Sequence, residues 1–169
     1  MVKPTFRTAP VRNALPQNEL YFHLYLHHTH RGPHRNQARI LDRGLPNSFG
    51  SITVNDWPLY DGLGSNAKVI AHAQGLHMQT AVRSHQSWYN SFSIMFEDAR
   101  FKGSTLQVMG PVVREGEWAV VGGTGQFSLA QGVIYKKFLE QRSDENIVEL
   151  DIHAFYTPLH TCTCWTLGA

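Results

Sequence analysis

A glycine-dense turn between two strand-like segments is the feature that most restricts the possible folds. Val120-Val121 leads into Gly122-Gly123-Thr124-Gly125-Gln126-Phe127, and an apolar segment resumes after Ala130-Gln131-Gly132. β-Branched residues favour strands, and glycine gives a tight turn access to positive φ. The pattern therefore predicts a turn between strands of a β-barrel.

A phosphate-binding loop is the alternative interpretation of the same glycines. The dinucleotide fingerprint needs G-x-G-x-x-G between a strand and a helix, and the P-loop needs a Lys-Ser/Thr pair after its glycines. Gly123-Thr124-Gly125 lacks the third glycine, no such pair follows, and residues 127–138 are rich in strand formers. A tight turn is the favoured interpretation.

Short segments of alternating polarity run through most of the chain. Since strand side chains alternate with period two, one face of residues 20–28 carries Leu20, Phe22, Leu24, Leu26 and His28. Further strands are predicted over residues 51–56, 67–79, 87–96, 104–109, 117–121, 129–138 and 147–156. Such strands fit an antiparallel sandwich or a closed barrel, and closure leaves no exposed edges. We expect an all-β fold, an eight-stranded antiparallel up-and-down β-barrel.

Length and composition suit one folded domain. The chain has 169 residues, of which 17% are charged, and a net charge of +2. We expect a flexible N-terminal segment over residues 1–18, a barrel domain over 19–157 and a tail over 158–169. The small net charge gives no indication of nucleic acid, and no segment reaches the roughly 18–20 apolar residues of a membrane span.

The ends of the chain suggest a compartment. No apolar run of a secretion signal precedes the barrel, and Cys162 and Cys164 are too close in sequence to form a good disulfide. These features predict a cytoplasmic location, with the nucleus as the alternative.

His160-x-Cys162-x-Cys164 and the histidines of residues 23–34 lack the spacing of a zinc site, so no metal or other cofactor is expected.

Arginine recurs at every fourth position in one segment. Arg31, Arg35, Arg39 and Arg43 are accompanied by a single acid, Asp42, and Gly32-Pro33 prevents a helix there. The segment is predicted to be a solvated cationic loop. The alternative is a contact with an anion or an acidic sugar.

Five ordered motifs between about Glu19 and Tyr156 resemble those of plant dirigent proteins. They are SFGSITVNDWPL at 48–59, AQG at 73–75, FKGSTL at 101–106, VVGGTG at 120–125 and AQG at 130–132. The resemblance implies an eight-stranded barrel, commonly trimeric, with an internal pocket. Members of this family steer the coupling of phenoxy radicals from monolignols, or reactions of quinone methides, without oxidising the substrate themselves.

Three positions depart from the dirigent pattern. His27-His28 replaces the usual His-Asp, Gly125-Gln126-Phe127 replaces Gly-Asp-Phe, and Ala130-Gln131-Gly132 replaces Ala-Arg-Gly. In the family, these two acids and the arginine are thought to handle protons on a quinone methide. Because glutamine cannot titrate, the departures predict a site without catalytic residues, in a protein that is not an enzyme.

One subfamily provides a more specific resemblance. Residues 19–27, Gly32-Pro33 and Asn36-Gln37 are similar to the dirigent-like domain of grass chimeric proteins, in which a jacalin-like, mannose-binding lectin domain follows. This resemblance implies a lectin domain in a longer protein, and a role in plant defence or stress response.

A saccharide is the ligand favoured by these observations. His28, Gln126 and Gln131 are predicted to line one barrel mouth, with Asp56 and Trp88 as further ligand-binding residues. Amides and imidazoles offer both donors and acceptors, and Trp57 or Trp88 can stack on a sugar ring. Two alternatives stay open: a barrel without a ligand, and a dirigent protein with His28 as its proton shuttle.

Overall fold

The structure, a computed structural model, describes residues 16–83 and 87–158. Within these residues, nine strands make up nearly all of the regular structure, and two single turns of 3-10 helix accompany them, over Pro46–Ser48 and Gly125–Phe127. The strands are β1 (Asn18–Thr29), β2 (Gln37–Leu41), β3 (Ile52–Tyr60), β4 (Val69–Gln79), β5 (Trp88–Phe96), β6 (Thr105–Val112), β7 (Glu115–Thr124), β8 (Gln131–Gln141) and β9 (Glu145–Tyr156).

The strands form a closed antiparallel barrel. Neighbours in sequence pair from β2 through to β9, and β1 closes the sheet by pairing with both β9 and β3. The predicted eight-stranded antiparallel barrel is confirmed. The ninth strand, β2, lies along β3 and was predicted to be loop. Four of its five residues are exposed, so it lacks the alternating burial from which a strand is recognised.

The predicted alternation sets the interior of the barrel. Leu20, Leu24 and Leu26 are buried on the inner face of β1, while Tyr21 is 64% exposed on the outer face. Similar inner positions on the other strands supply a continuous core. Burial of these apolar side chains is the main favourable term in folding.

The glycine-dense segment is a tight turn, as predicted. A Cβ at Gly123 would lie 2.0 Å from the carbonyl oxygen of Phe127, and Gly125 adopts a φ of +63°. Both positions therefore require glycine. The turn leads into β8 rather than into a helix, which removes the geometry of a phosphate loop.

The two ends of the barrel differ in their filling. At one, the aromatic end, strands β1, β5 and β9 place Phe22, Phe96 and Tyr156 beside Phe101 and Phe127. At the other, the pocket end, β1 ends at Thr29 and β9 begins at its partner Glu145. β5 starts at the pocket end with Trp88, which pairs with Gln79 of β4 and Val112 of β6.

The predicted terminal segments fall almost entirely outside the described residues, and their flexibility stays a prediction. His160, Cys162 and Cys164 also lie outside them. Within the described part, no helix is long and apolar enough to cross a membrane.

A candidate ligand-binding pocket at one end of the barrel

A cavity of about 550 Å³ opens at the pocket end. Its size is in the range of pockets that hold small organic molecules. The lining combines aromatic, imidazole, amide and guanidinium groups, chiefly Trp57, Trp88, Trp118, Phe138, His28, His30, His77, Asn90, Arg31, Arg35 and Arg39. We call this cavity the barrel pocket.

Aromatic rings form much of the wall of the barrel pocket. Trp57 is 3% exposed, and its ring centroid lies 5.0 Å from that of His28 and 5.3 Å from that of His77. The rings of His77 and Trp88 are 5.2 Å apart. Trp118 is fixed by its indole N–H, which donates to the carbonyl of Pro111 at 2.8 Å. A flat ligand would meet aromatic faces in this pocket.

Two histidines inside the pocket are neutral at physiological pH. Burial, followed by repulsion from His30, lowers the pKa of His28 to about 4. Burial also lowers the pKa of His77 to about 4, with smaller contributions from His28 and Arg39. Their ring centroids lie 6.2 Å apart, in an edge-to-face contact. A ligand in the cavity can therefore contact both imidazoles, because they line it side by side.

Several buried polar atoms of the pocket have no hydrogen-bond partner among the described residues. They include Oδ1 of Asn90, which is 1% exposed, Nε1 of Trp57 and Nδ1 of His77. A buried polar atom without a partner costs about 1–3 kcal/mol. A ligand that supplies donors and acceptors would recover part of that cost.

Two of the five sequence-predicted site residues lie in the pocket. His28 and Trp88 both line it. The prediction that Gln126 and Gln131 share the mouth with His28 is wrong, because both lie at the aromatic end. Gln126 donates from Nε2 to the carbonyl of Arg100 at 2.6 Å, and Gln131 is exposed at the start of β8.

Asp56 also lies outside the pocket. Its neighbour Trp57 points inward, so the alternation of β3 turns Asp56 to the outer face. There its carboxylate contacts His72 Nδ1 at 2.6 Å and accepts from Gln74 Nε2 at 3.2 Å. The predicted role of Asp56 as a pocket ligand is corrected by this placement.

Sequence reasoning missed His77 and Asn90. Both lie on inner faces that follow from alternation, since Ala71, Ala73 and His77 share one face of β4. The signal was available, but the glycine at position 75 interrupted the apolar pattern. Among the described residues, no group of three or more His, Cys, Asp or Glu side chains is placed to hold a metal ion.

Lysine 136 is an unusual neighbour of the pocket wall. Lys136 is 2% exposed, donates to the carbonyl of Val113, and places Nζ 5.2 Å from the ring of Trp118 and 5.3 Å from that of Phe138. Burial lowers its pKa to about 8. It is therefore still predominantly a cation at neutral pH.

Comparison with known proteins gives a consistent result. Dirigent protein 11 of Arabidopsis thaliana is 27% identical over 161 residues, which cover 91% of this chain and 83% of that protein. Pterocarpan synthase 1 of Glycyrrhiza echinata is 31% identical over 150 residues, covering 80% of this chain and 77% of the relative.

Solved structures agree in fold. The pterocarpan synthase dirigent protein GePTS1 superposes with a TM-score of 0.75 at 28% identity, over 85% of this chain and 88% of that one. Pyocyanin demethylase shares the fold at a TM-score of 0.52 but only 15% identity, over 79% of this chain and 99% of that one.

The family assignment rests on a match over the whole barrel. The sequence model of the Dirigent-like protein family matches residues 20–155, which begin in β1 and end in β9. The five motifs, the closed barrel and the internal pocket agree with this match. The chain belongs to the dirigent-like protein family.

Proposed function

We propose that this protein is a dirigent protein that binds a quinone methide formed from a phenol. It determines which face of the quinone methide an internal hydroxyl attacks when a new ring forms. The observation that carries the proposal is the barrel pocket, in which two neutral imidazoles pack edge to face against each other and both contact the indole ring of Trp57. Relatives named pterocarpan synthase support a dirigent role of this kind.

The reaction needs no external oxidant. An ortho-hydroxybenzyl alcohol loses water to form a quinone methide, and a second hydroxyl of the same molecule adds to the exocyclic carbon. A C–O bond forms, the attacking hydroxyl loses its proton, and the quinone methide oxygen gains one. The phenol is restored, and no electrons leave the molecule. The protein must hold one geometry and assist one proton transfer.

His28 and His77 are the groups placed for that transfer. With a pKa of about 4, each free imidazole is about as weak a base as an ordinary aspartate, whose pKa is about 3.9. His28 occupies the position at which the dirigent pattern usually carries an acid. It differs in being neutral before it accepts the proton.

This proposal revises the expectation of a site without chemistry. That expectation rested on the loss of two acids and an arginine, but two of the three positions, Gln126 and Gln131, lie at the aromatic end. The pocket itself retains titratable groups in His28 and His77.

Saccharide binding stays a prediction. The barrel pocket offers Trp57 and Trp88 for stacking and Asn90 for hydrogen bonding, but it lacks the amides of Gln126 and Gln131. The lectin partner, homo-oligomer, cytoplasmic location and defence role also stay predictions, since none of them follows from the barrel or its relatives.

Product stereochemistry tests the proposal. A racemic ortho-hydroxybenzyl alcohol with an internal hydroxyl is cyclised with and without the protein, and the enantiomers are separated by chiral chromatography. We expect one enantiomer to predominate with the protein. A His28→Gln, His77→Gln double variant should lose most of that excess, whereas Gln126→Leu at the aromatic end should retain it.

A second arm distinguishes radical coupling. Coniferyl alcohol is oxidised by a one-electron oxidant with and without the protein, and the dimers are analysed in the same way. Stereocontrol in this arm alone would overturn the quinone methide assignment in favour of radical coupling. A racemic product in both arms would overturn the dirigent proposal, and a saccharide titration followed by tryptophan fluorescence would then test the sugar hypothesis.

A further inference from the structure

We infer that the substrate is an aromatic acid, whose carboxylate is held at the mouth of the barrel pocket by Arg31 and Arg35. The aromatic part of this inference rests on the proposed function. The carboxylate part rests on the charges, pairing and anchoring of the mouth, which are independent of any reaction.

The charges of the pocket lining have one sign. Among the described residues, the lining includes three arginines but no aspartate or glutamate. Lys136, packed against the lining residues Trp118 and Phe138, adds another cation nearby. Cations that share a concave site with low-dielectric walls raise the local concentration of anions.

The arginines at the mouth differ in pairing. Arg39 donates to Asp42 at 2.7 Å, so its charge is partly satisfied. For Arg31 and Arg35, the described part of the chain provides no carboxylate within ion-pair distance of the guanidinium. Two guanidinium groups without a carboxylate partner in the described part of the chain therefore border the pocket.

The loop that carries these arginines is fixed to the barrel. Oδ1 of Asn36 accepts from the backbone N–H of Thr29 at 3.0 Å, and its Nδ2 donates to the carbonyl of His27 at 2.9 Å. The carbonyl of Asp144 accepts from the backbone N–H groups of His30 and Arg31. A loop held on both sides loses less entropy when its side chains bind a ligand.

A carboxylate suits this arrangement geometrically. The planar guanidinium group donates two parallel hydrogen bonds to a carboxylate, and Arg is the residue best suited to that pairing. With the acid at Arg31 and Arg35, an attached aromatic ring would extend into the cavity toward Trp57 and His28, which also line it. The positive charge of Arg39 at the mouth contributes to the lowered pKa of His77 inside the pocket, so the charges of the mouth act on groups in the cavity.

Two ligands with the same ring but different tails test the inference. Ferulic acid and coniferyl alcohol are each titrated against the protein at pH 7 and low salt, with tryptophan fluorescence as the readout. We expect the acid to bind about tenfold more tightly, a difference of about 1.4 kcal/mol. The preference should shrink as ionic strength rises, because the arginines are exposed.

Variants assign the preference to the arginines. The double variant Arg31→Gln, Arg35→Gln should bind the acid and the alcohol equally and retain the wild-type affinity for the alcohol. The double variant Lys68→Gln, Lys102→Gln, which removes two exposed cations outside the pocket lining, should leave the preference intact. This pair of variants separates a local contact from the effect of net charge.

The outcomes separate this inference from the proposed function. Equal binding of acid and alcohol by the wild-type protein, or a preference that persists in the arginine double variant, would overturn the inference. Failure of both ligands to bind would also overturn it. Because the readout is binding, an absence of stereocontrol in the cyclisation assay would count against the dirigent proposal alone.

Discussion

The aromatic end and the pocket end belong to the same strands but are filled differently. At the aromatic end, Phe127 contacts Phe96, Phe101 and Tyr156 with ring centroids 5.1–5.4 Å apart, and its side chain has no exposed area. At the pocket end, a cavity of about 550 Å³ is lined by histidine, tryptophan, asparagine and arginine.

The difference shows that one end of the barrel mainly stabilises the fold, while the other end provides the groups that can bind a ligand. Apolar rings at the aromatic end exclude water and gain dispersion and hydrophobic energy. At the pocket end, several buried polar atoms lack hydrogen-bond partners among the described residues, and the pKa values of two histidines are lowered. These features reduce the stability of the fold, but they leave polar groups available to a ligand. Substitutions at the aromatic end should therefore mainly reduce the stability of the fold, and substitutions at the pocket end should mainly change ligand binding.

Among the substitutions, the largest effect is expected at the aromatic end. Phe127→Ala should reduce the free energy of unfolding by about 3–5 kcal/mol, because it opens a cavity among packed rings. Urea denaturation measures this loss. Phe155→Ala, on the outer face of β9 with the residue 41% exposed, is the matched control and should cost about 1 kcal/mol or less. Equal losses for the two variants would contradict the contrast between the ends.

Acid should destabilise the pocket end. His28 and His77 have a pKa of about 4 in the folded protein and about 6.5 in the unfolded chain. The unfolded state therefore binds protons first as the pH falls, and stability should decrease between pH 6.5 and 4. The cost is about 3 kcal/mol for each histidine.

Thermal unfolding across that pH range measures the effect. The His28→Gln, His77→Gln double variant should show a shallower decrease in Tm, and the difference between the two proteins isolates the histidines from the carboxylates. Parallel curves for variant and wild type would show that these rings titrate normally.

Lys136 should also lower the stability of the folded barrel. Its depressed pKa of about 8 reflects a cation held among apolar rings. Lys136→Met should raise the free energy of unfolding at pH 7 by about 1–2 kcal/mol. The exposed neighbour Lys137→Met should change it by less than about 0.5 kcal/mol. A loss of stability in Lys136→Met would mean that its contact with the Val113 carbonyl outweighs desolvation.

The smallest effect is expected for Gln126→Leu. Its exposed amide makes one hydrogen bond to the carbonyl of Arg100, so the change should cost about 0.5 kcal/mol. Ligand affinity at the pocket end should not change. A tenfold loss of ligand affinity in this variant, measured by tryptophan fluorescence, would support the sequence-based prediction that Gln126 and His28 line the same mouth of the barrel.

The sequence by itself determined the barrel and much of its interior. Period-two alternation identified the inner face of β1 from Leu20 to His28, because a strand turns successive side chains to opposite sides. The same rule would have placed Asp56 outside and His77 inside. The glycine-dense turn followed from local chemistry, since positions 123 and 125 exclude a side chain for steric and conformational reasons.

Only the tertiary structure decided which residues share an end. Gln126 and Gln131 lie at the same end, but β8 starts at the aromatic end, whereas β1 reaches the pocket end at His28. The meeting of His28, His77 and the arginine loop depends on strand direction, register and barrel closure. These are set by pairings between residues far apart in the chain, which no local pattern in the sequence encodes.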